Sequence, residues 1–284
     1  MLVGHRPPGD RDRAVEHYRE LFASGELDPA GLFVARSQGP IRGAMMVHVM
    51  PGALGLAWPP AVERGRNRTA MEDALIAAAG AWLRSQGVKI CQAFARDSER
   101  ESCAPLERGG FIHLTQLVEL RHDLQAIPDA SPQFTVESFG EANREAFLSA
   151  LLASFEGSLD CPEVSGSRTD AELLAAYTDS MQPDAPWFLA QLDGQAVGVL
   201  LLDADSEPDA CELTYLGIAP GFRRRGLGSE LVRFALHWAR NAGRGALALS
   251  VDARNLPARR LYETLGFQAS GARSVFLADW SDIS

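Results

Sequence analysis

The sequence predicts an α/β (α+β) fold built as two tandem domains, and three observations support this prediction. The chain has 284 residues, which is long for one compact domain and enough for two hydrophobic cores. Short apolar stretches typical of strands alternate with longer stretches of helical periodicity, and this order occurs twice. The two halves also match at a single offset, because subtracting 156 carries Gly266-Phe267 onto Gly110-Phe111 and Trp238 onto Trp82. Such repetition indicates an internal duplication.

The first half is predicted to contain three helices and four strands. The predicted helices are at about 10–24, 69–85 and 103–108, and the predicted strands are at 31–35, 44–49, 88–94 and 111–120. Residues 125–133 interrupt this pattern with two prolines and are typical of a linker. We therefore expect one domain at 1–124 and a second domain at 134–284.

The second half is predicted to repeat this order. Thr169-Asp-Ala-Glu172 fits a capping box at a helix start, and Asp193-Gly194 is typical of a two-residue hairpin turn. The predicted helices are 141–155, 169–178, 227–241 and 257–265. The predicted strands are 134–138, 187–192, 195–202, 212–218, 246–251 and a closing pair that begins at Phe267.

The composition limits the classes of function. With 46% apolar and 23% charged residues, the chain is typical of globular protein. Its formal net charge of −10 argues against nucleic acid as a partner, since that role needs clustered positive charge. The four cysteines show no metal-type pairing, and no apolar run has the length of a membrane span. The cysteine pattern leads us to expect no metal. Because the first residues lack the apolar core of a signal peptide, we expect a soluble cytoplasmic protein. Its oligomeric state stays open.

A loop rich in arginine and glycine lies between a predicted strand and a predicted helix. Gly226 and Gly228 have no Cβ, so the backbone N–H groups around them can approach a ligand closely. These groups lie at a helix N-terminus, which favours an anion, and Arg223, Arg224 and Arg225 add positive charge. The pattern predicts a polyphosphate site, while the alternative is a surface turn rich in solvated arginine.

Two motifs carry a resemblance to a known family. Arg223-Arg-Arg-Gly-Leu-Gly228 resembles the pyrophosphate loop of the GNAT superfamily of N-acetyltransferases, whose pattern is (Arg or Gln)-x-x-Gly-x-(Gly or Ala). The segment 255–267, Asn-Leu-Pro-Ala-Arg-Arg-Leu-Tyr-Glu-Thr-Leu-Gly-Phe, resembles the second signature of that family at its usual distance. The resemblance implies a mixed, mostly antiparallel sheet flanked by helices in each domain. The tandem arrangement is also similar to that of the two-domain mycothiol synthases.

The resemblance further implies an activity and a set of site residues. The activity is direct transfer of an acetyl group from acetyl-CoA, as cosubstrate, to a primary amine of an unidentified small molecule or peptide. The alternative is an acyl-CoA-binding regulator without catalysis. The implied cofactor-binding residues are Leu216, Gly217, Ile218, Arg223, Arg224, Arg225, Gly226, Leu227, Gly228, Ser229 and Asn255. Gly217 is compatible with the β-bulge of the family or with close packing, and Asn255 with cofactor contact or with a helix N-cap.

Two residues are expected to carry the chemistry. Tyr262 matches the tyrosine that protonates the departing thiolate in the family, since a phenol is protonated at neutral pH. The alternative for Tyr262 is an aromatic residue on the buried face of a short helix. Glu212 matches the general base of some family members, or it is an exposed carboxylate at a strand start. Retention of Tyr262 favours an enzyme over a regulator.

The same offset shows what the first half lacks. Gly226 becomes Ala70, Gly228 becomes Glu72, and Tyr262 becomes Leu106. A carboxylate where a phosphate should approach would repel it, so the first half is predicted to be a degenerate copy without a cofactor site.

One loop of the second half has a role that the sequence leaves open. Residues 156–168 include Asp160 and Cys161 and match the segment that lines the acceptor site in related enzymes. No histidine lies in a recognisable partner motif for Cys161, which argues against a covalent acyl-enzyme.

Overall fold

The computed structural model describes residues 8–37, 39–129, 133–179, 184–207 and 209–282. Two compact units divide the chain, Met1–Leu114 with Ser274–Ser284, and Thr115–Arg273. This division falls within two strands and not at the segment 125–133 that we expected as a linker. Residues 130–132 of that segment lie outside the described residues.

The first unit has one long helix on its sheet. Its elements are α1 (Pro8–Ser24), β1 (Leu32–Arg36), β2 (Ile41–Met50), β3 (Leu54–Ala57), β4 (Ala61–Val62), α2 (Arg68–Ser85), β5 (Ile90–Arg96), α3 (Ala104–Arg108) and the start of β6 (Ile112–His122). The strands β1, β2, β3 and β5 are neighbours in that order, and β4 pairs with β2. β1 and β2 are antiparallel, whereas β3 and β5 are parallel.

The second unit is larger and contains both sequence motifs. After β6 its elements are β7 (Thr135–Ser138), α4 (Arg144–Phe155), α5 (Pro162–Gly166), α6 (Asp170–Thr178), β8 (Trp187–Leu192), β9 (Gln195–Glu207), β10 (Ala210–Ile218), α7 (Leu227–Asn241), β11 (Ala246–Asp252), α8 (Leu256–Thr264) and the start of β12 (Gln268–Asp279). The strand order is β6-β11-β10-β9-β8-β7. The pair β10–β11 is parallel, and the other pairs in this order are antiparallel.

Helices cover both faces of the second sheet, as the alternation along its strands requires. Trp187 and Leu189 of β8 pack with Phe147 of α4, whereas Phe188 between them belongs to the core under Leu231 of α7. Along β9, Val199 and Leu201 likewise belong to the core with Phe147, whereas Leu200 and Leu202 belong to the core with Leu231. The first unit has its own core, to which Phe276 of β12 contributes. Each unit is therefore a mostly antiparallel sheet flanked by helices, as the sequence predicted.

The internal duplication is confirmed at the level of single residues. Adding 156 to the bounds of β5 gives the bounds of β11, and α2 and α7 end at equivalent residues. The parallel register Leu54↔Ile90 becomes Ala210↔Ala246 under the same shift. Two copies of one βα plan therefore follow each other in the chain.

Several local predictions are also confirmed. Thr169 accepts a hydrogen bond from the Glu172 N–H at 3.3 Å, and the Glu172 carboxylate accepts one from the Thr169 N–H at 2.8 Å. Asp193 and Gly194 have φ values of 50° and 76°, which fit the tight hairpin turn between β8 and β9. No helix in the described part of the chain has the length and apolarity that a membrane span needs.

Four elements differ from the prediction. The closing pair of strands is one strand, β12, because Gly271 makes room for a neighbour and does not mark a turn. A Cβ on Gly271 would lie 2.3 Å from an oxygen of the Glu119 carboxylate. The short elements β3, β4 and α5 were missed, since two to five residues carry too little periodicity to be recognised.

Candidate active site

A cavity opens in the second unit where two parallel strands separate. β10 and β11 pair only over Ala210–Leu213 and Ala246–Leu249, and β10 then continues beside β9 to Ile218. The register with β9 shifts between Leu213 and Tyr215, so Thr214 is the extra residue of a bulge. The resulting cavity has a volume of about 630 Å³.

Most of the predicted site residues line this cavity. These residues are Leu216, Gly217, Ile218, Arg223, Arg224, Gly226, Leu227, Gly228, Ser229, Asn255 and Tyr262. Arg225 and Glu212 are not among the lining residues, although both belong to the described part of the chain. The cavity thus joins the predicted phosphate loop to the predicted proton donor.

The loop before α7 has the backbone that its glycines allow. After a single turn at Pro220–Phe222, Arg224 and Gly226 adopt φ values of 63° and 84°, in the left-handed region that favours glycine. α7 begins at Leu227, so the N–H groups of its first turn have no partner within the helix. Together with the helix dipole they form a site that fits a pyrophosphate.

The three arginines of the loop differ in their surroundings. The Arg223 guanidinium donates to the backbone carbonyls of Ile218, Ser154 and Gly157 at 2.8, 2.9 and 3.3 Å. Its donors therefore tie the loop to the end of α4. Arg225 lies over the Phe222 ring at 5.3 Å. Arg224 is exposed and lines the cavity, so it is the loop arginine best placed to bring positive charge to an anion in the cavity.

Gly217 is a close-packing glycine. A Cβ on Gly217 would lie 2.2 Å from the Ser154 Oγ, and Gly217 itself pairs in register with Val199 of β9. Of the two alternatives for Gly217, close packing therefore holds, and the bulge of this strand lies at Thr214. The Ser154 hydroxyl is held by a 2.7 Å hydrogen bond with the Tyr215 hydroxyl, so this packing is continuous with the cavity wall.

Tyr262 combines packing with a place on the cavity wall. Its ring is 8% exposed and packs edge-on against Phe267, with 5.5 Å between the ring centroids. Burial, followed by the charge of Asp160, raises the pKa of Tyr262 above its ordinary value, so the phenol stays protonated at neutral pH. Asn255 is the N-cap of α8, since its side chain accepts from the Ala258 N–H at 3.3 Å, and it also lines the cavity.

Comparison with known proteins shows which family the second half of the chain matches. Residues 151–267 match the model of the acetyltransferase (GNAT) family. The chain carries a GNAT acetyltransferase domain. Among curated relatives, mycothiol acetyltransferase of Thermomonospora curvata is 29% identical over 237 residues, which cover 81% of this chain and 76% of that protein. N-acetylaspartate synthetase of Homo sapiens is 33% identical over 95 residues, 34% of this chain and 32% of that protein.

Solved structures extend the likeness to both halves. A GCN5-related N-acetyltransferase from Sphaerobacter thermophilus has a TM-score of 0.63 at 20% identity, and the match covers 94% of this chain and 85% of that one. A tandem GNAT protein from the clavulanic acid biosynthesis pathway has a TM-score of 0.56 at 16% identity, with coverages of 89% and 85%. At these identities the likeness concerns the fold, and the fold is that of tandem GNAT proteins.

At the matching positions, the first unit does not have the features of the phosphate loop. α2 begins at Arg68, so residues 68–70 are helical where the offset places the loop residues 224–226. Glu72, at the position of Gly228, is 3% exposed and binds Arg68 at 2.7 Å and Arg108 at 2.8 Å. A buried carboxylate therefore lies just after the first turn of α2, at the position that matches Gly228, and its charge opposes phosphate binding there.

Glu212 of the GNAT domain lies in the fully paired part of β10. It is opposite Asp203 of β9 and Ala248 of β11, below the point at which β10 and β11 separate. Its side chain is half-buried and does not line the cavity. The geometry therefore gives the predicted base no direct access to the cavity.

The loop after α4 contributes a carboxylate that we did not select from the sequence. Asp160 lines the cavity, and its Oδ1 accepts from the Asp252 N–H at 2.8 Å. Burial raises the pKa of the neighbouring Cys161 thiol, and the charges of Asp160 and Asp252 raise it further. The thiol is thus protonated at neutral pH, in agreement with the prediction that Cys161 is not a nucleophile. The only sequence signal for Asp160 was its place in the acceptor loop.

Asp252 fixes this loop to the end of β11. Its fully buried carboxylate accepts from the Thr115 hydroxyl at 2.6 Å, the Cys161 N–H at 3.1 Å and the Arg254 guanidinium at 2.7 Å. Arg254 also binds Glu163 through two hydrogen bonds of 2.7 and 3.0 Å. Burial would raise the pKa of Asp252, but the hydrogen bonds from Arg254 and Thr115 outweigh it and lower the pKa to about 2.

We expect Asp252→Asn to lower the free energy of unfolding by about 2 kcal/mol at pH 7, because a charged hydrogen-bond acceptor is lost. Arg254 is 42% exposed, so solvent screening limits the ion-pair part of this loss. Since the folded pKa lies below the unfolded one, the stabilisation is present above about pH 4 and is lost as pH falls towards 2.

Urea denaturation at several pH values measures this difference. The control is Glu141→Gln, whose carboxylate is 89% exposed and should contribute less than about 0.5 kcal/mol. Equal stability of wild type and Asp252→Asn at pH 7 would contradict the structural role of Asp252.

Proposed function

We propose that the protein is an acetyl-CoA-dependent N-acetyltransferase that transfers the acetyl group directly to a primary amine of a small molecule or peptide. The observation that carries the proposal is the shared cavity of the phosphate loop and Tyr262. A regulator that only binds acyl-CoA needs the loop but has no use for a protonated phenol beside the bound thioester.

The chain's residues divide the work between binding and proton transfer. The first-turn N–H groups of α7 bind the pyrophosphate, and Gly226 and Gly228 keep side chains away from it. The edge of β10 from Leu216 to Ile218 faces the cavity beyond its pairing with β11, which leaves backbone groups for the pantetheine arm and the carbonyl oxygen. Tyr262 holds a proton for the sulfur that leaves.

Acetyl-CoA supplies a thioester, whose acyl carbon forms a bond to the amine nitrogen as the carbon–sulfur bond breaks. The amine must be neutral to attack, so one proton leaves the acceptor and one reaches the thiolate. The protonated Cys161 thiol supports a direct transfer over a covalent acyl-enzyme.

Release of CoA in the presence of primary amines tests the proposal. A suitable panel contains spermidine, glucosamine, L-cysteine methyl ester and a tripeptide with a free N-terminus. The names of the relatives, mycothiol acetyltransferase and N-acetylaspartate synthetase, favour small acceptors. Binding of acetyl-CoA without turnover on any amine would favour the regulator.

We expect one acetyl-CoA to bind per chain. The second unit has the glycine loop, whereas the buried Glu72 with its two arginines occupies the matching place in the first unit. Isothermal titration calorimetry measures the stoichiometry, and Glu72→Gly serves as a control because it removes the carboxylate of the first unit. Two equivalent sites in the wild-type chain would contradict the assignment of the first unit as degenerate.

A further inference from the structure

We propose that Asp160 is the carboxylate that receives the amine of the acceptor and accepts its proton, an inference that rests on the proposed acetyl transfer. It assigns a catalytic role to a residue of the loop between α4 and α5. It also gives the acceptor a chemical class, a primary amine that arrives as a cation.

The first argument is position. Asp160 lines the same cavity as Tyr262 and Tyr215. It belongs to the loop after α4, whereas the phosphate loop precedes α7. Its charge helps to raise the pKa of Tyr262, and it helps to raise that of Tyr215 to about 12, after burial in both cases. The carboxylate is therefore within electrostatic range of both phenols that face the cavity.

The second argument is that the chain holds Asp160 in place. The Asp252 N–H donates to its Oδ1, and the next residue, Cys161, donates its own N–H back to the Asp252 carboxylate. Cys161 has a φ of 43°, a strained value for a residue with a Cβ. The Arg254–Glu163 pair fixes the following turn. A surface loop without a task does not need this many constraints, whereas a catalytic carboxylate does.

The third argument is the chemistry of the carboxyl group. The Asp160 carboxylate is exposed where it lines the cavity, and partial desolvation by the surrounding chain raises its pKa, while the hydrogen bond from the Asp252 N–H and the Asn255 side chain act in the opposite direction. A carboxylate with a raised pKa is a stronger base than an ordinary aspartate. It attracts an ammonium group and stabilises the proton that leaves it.

Asp160 and Tyr262 together account for every proton that moves in this step. The ammonium group gives one proton to Asp160, and the neutral nitrogen forms the bond to the acetyl carbon. As the carbon–sulfur bond breaks, the sulfur takes the Tyr262 proton. The new amide nitrogen then loses its extra proton, which restores the phenol, and Asp160 releases its proton to water. The products are the acetylated amine and free CoA.

Asp160→Asn tests the proposal with little structural change, because asparagine keeps an Oδ1 that accepts from the Asp252 N–H. With the best acceptor of the amine panel, we expect kcat/KM for the amine to fall at least tenfold at pH 7. The Kd for acetyl-CoA should stay within about twofold of the wild-type value, since the phosphate loop is unchanged. The control is Glu156→Gln, an exposed carboxylate in the same loop that does not line the cavity.

The pH dependence separates a base from a packing residue. Wild-type activity should fall at low pH as Asp160 becomes protonated, and Asp160→Asn should lack this acid limb. The charged or titratable groups around Asp160 come from every neighbouring element and are Cys161, Tyr177, Tyr215, Asp252, Arg254 and Tyr262. Of these, Asp252 has a pKa of about 2 and the phenols and the thiol titrate above neutrality, so none produces the limb near the Asp160 pKa.

Three results would overturn the inference. Full activity of Asp160→Asn with the wild-type pH profile contradicts the role of Asp160 alone, and loss of the acid limb in Glu212→Gln instead assigns the base to Glu212. A wild-type protein that acetylates no amine of the panel contradicts the proposed function and this inference with it.

Discussion

Gly228→Glu is expected to abolish acetyl-CoA binding, with a loss of affinity of about 100-fold or more. Gly228 lines the cavity in the first turn of α7, where the N–H groups point at the pyrophosphate site. A glutamate there places one negative charge within a few ångströms of two others. At the dielectric of a protein surface this costs about 3 kcal/mol or more, which corresponds to the stated loss.

Gly228→Ala is the matched control for this variant. An added Cβ would lie 3.4 Å from Leu261 Cδ1, an ordinary contact with the end of a flexible side chain. Alanine also favours the helix, so this variant should fold and bind acetyl-CoA. Calorimetry on both variants separates charge from bulk. If Gly228→Glu kept the wild-type affinity, the phosphate would have to bind elsewhere.

Tyr262→Phe is expected to lower kcat by a factor of about 10 to 10⁴, with the KM for acetyl-CoA nearly unchanged. The substitution removes the proton donor and keeps the ring that packs against Phe267. Because phenylalanine keeps the ring and its place in the core, thermal stability should change little. Single-turnover measurements are needed, because slow product release would mask the loss.

Tyr177→Phe controls for the general effect of removing a buried phenol oxygen. Tyr177 packs with Phe155 and Tyr215 and does not line the cavity, so its loss should leave the chemical step unaffected. A Tyr262→Phe variant with full single-turnover activity would leave Tyr262 with its packing role only.

The sequence was informative wherever a residue type has few alternatives. Gly226 and Asp193-Gly194 adopt the left-handed backbone that glycine and turn residues allow, and Thr169 and Asn255 cap the helices that follow them. Every helix predicted from periodicity is present in the structure, because an amphipathic helix of several turns repeats its signal. The offset of 156 relates β5 to β11 and the end of α2 to the end of α7.

The sequence was less informative where a role depends on a neighbour distant in the chain. Gly217 is a glycine because Ser154 lies against it, and Arg223 bonds carbonyls of a loop more than 60 residues earlier. Glu212 matched a family position, but the point at which β10 leaves β11 decides which residues reach the cavity. Asp160 was one of many loop carboxylates until its hydrogen bond to Asp252 became visible.

The last strand has a consequence for the order in which the protein can mature on the ribosome. Phe276 and Ala278 of β12 belong to the core of the first unit, which otherwise consists of residues before Leu114. Domains usually fold as they are synthesised, from the N-terminus onwards. Here the core of the first unit stays incomplete until residues 276–278, which follow the whole second unit in the chain, have left the ribosome. The half that is synthesised first therefore cannot complete its core before the second half has been synthesised.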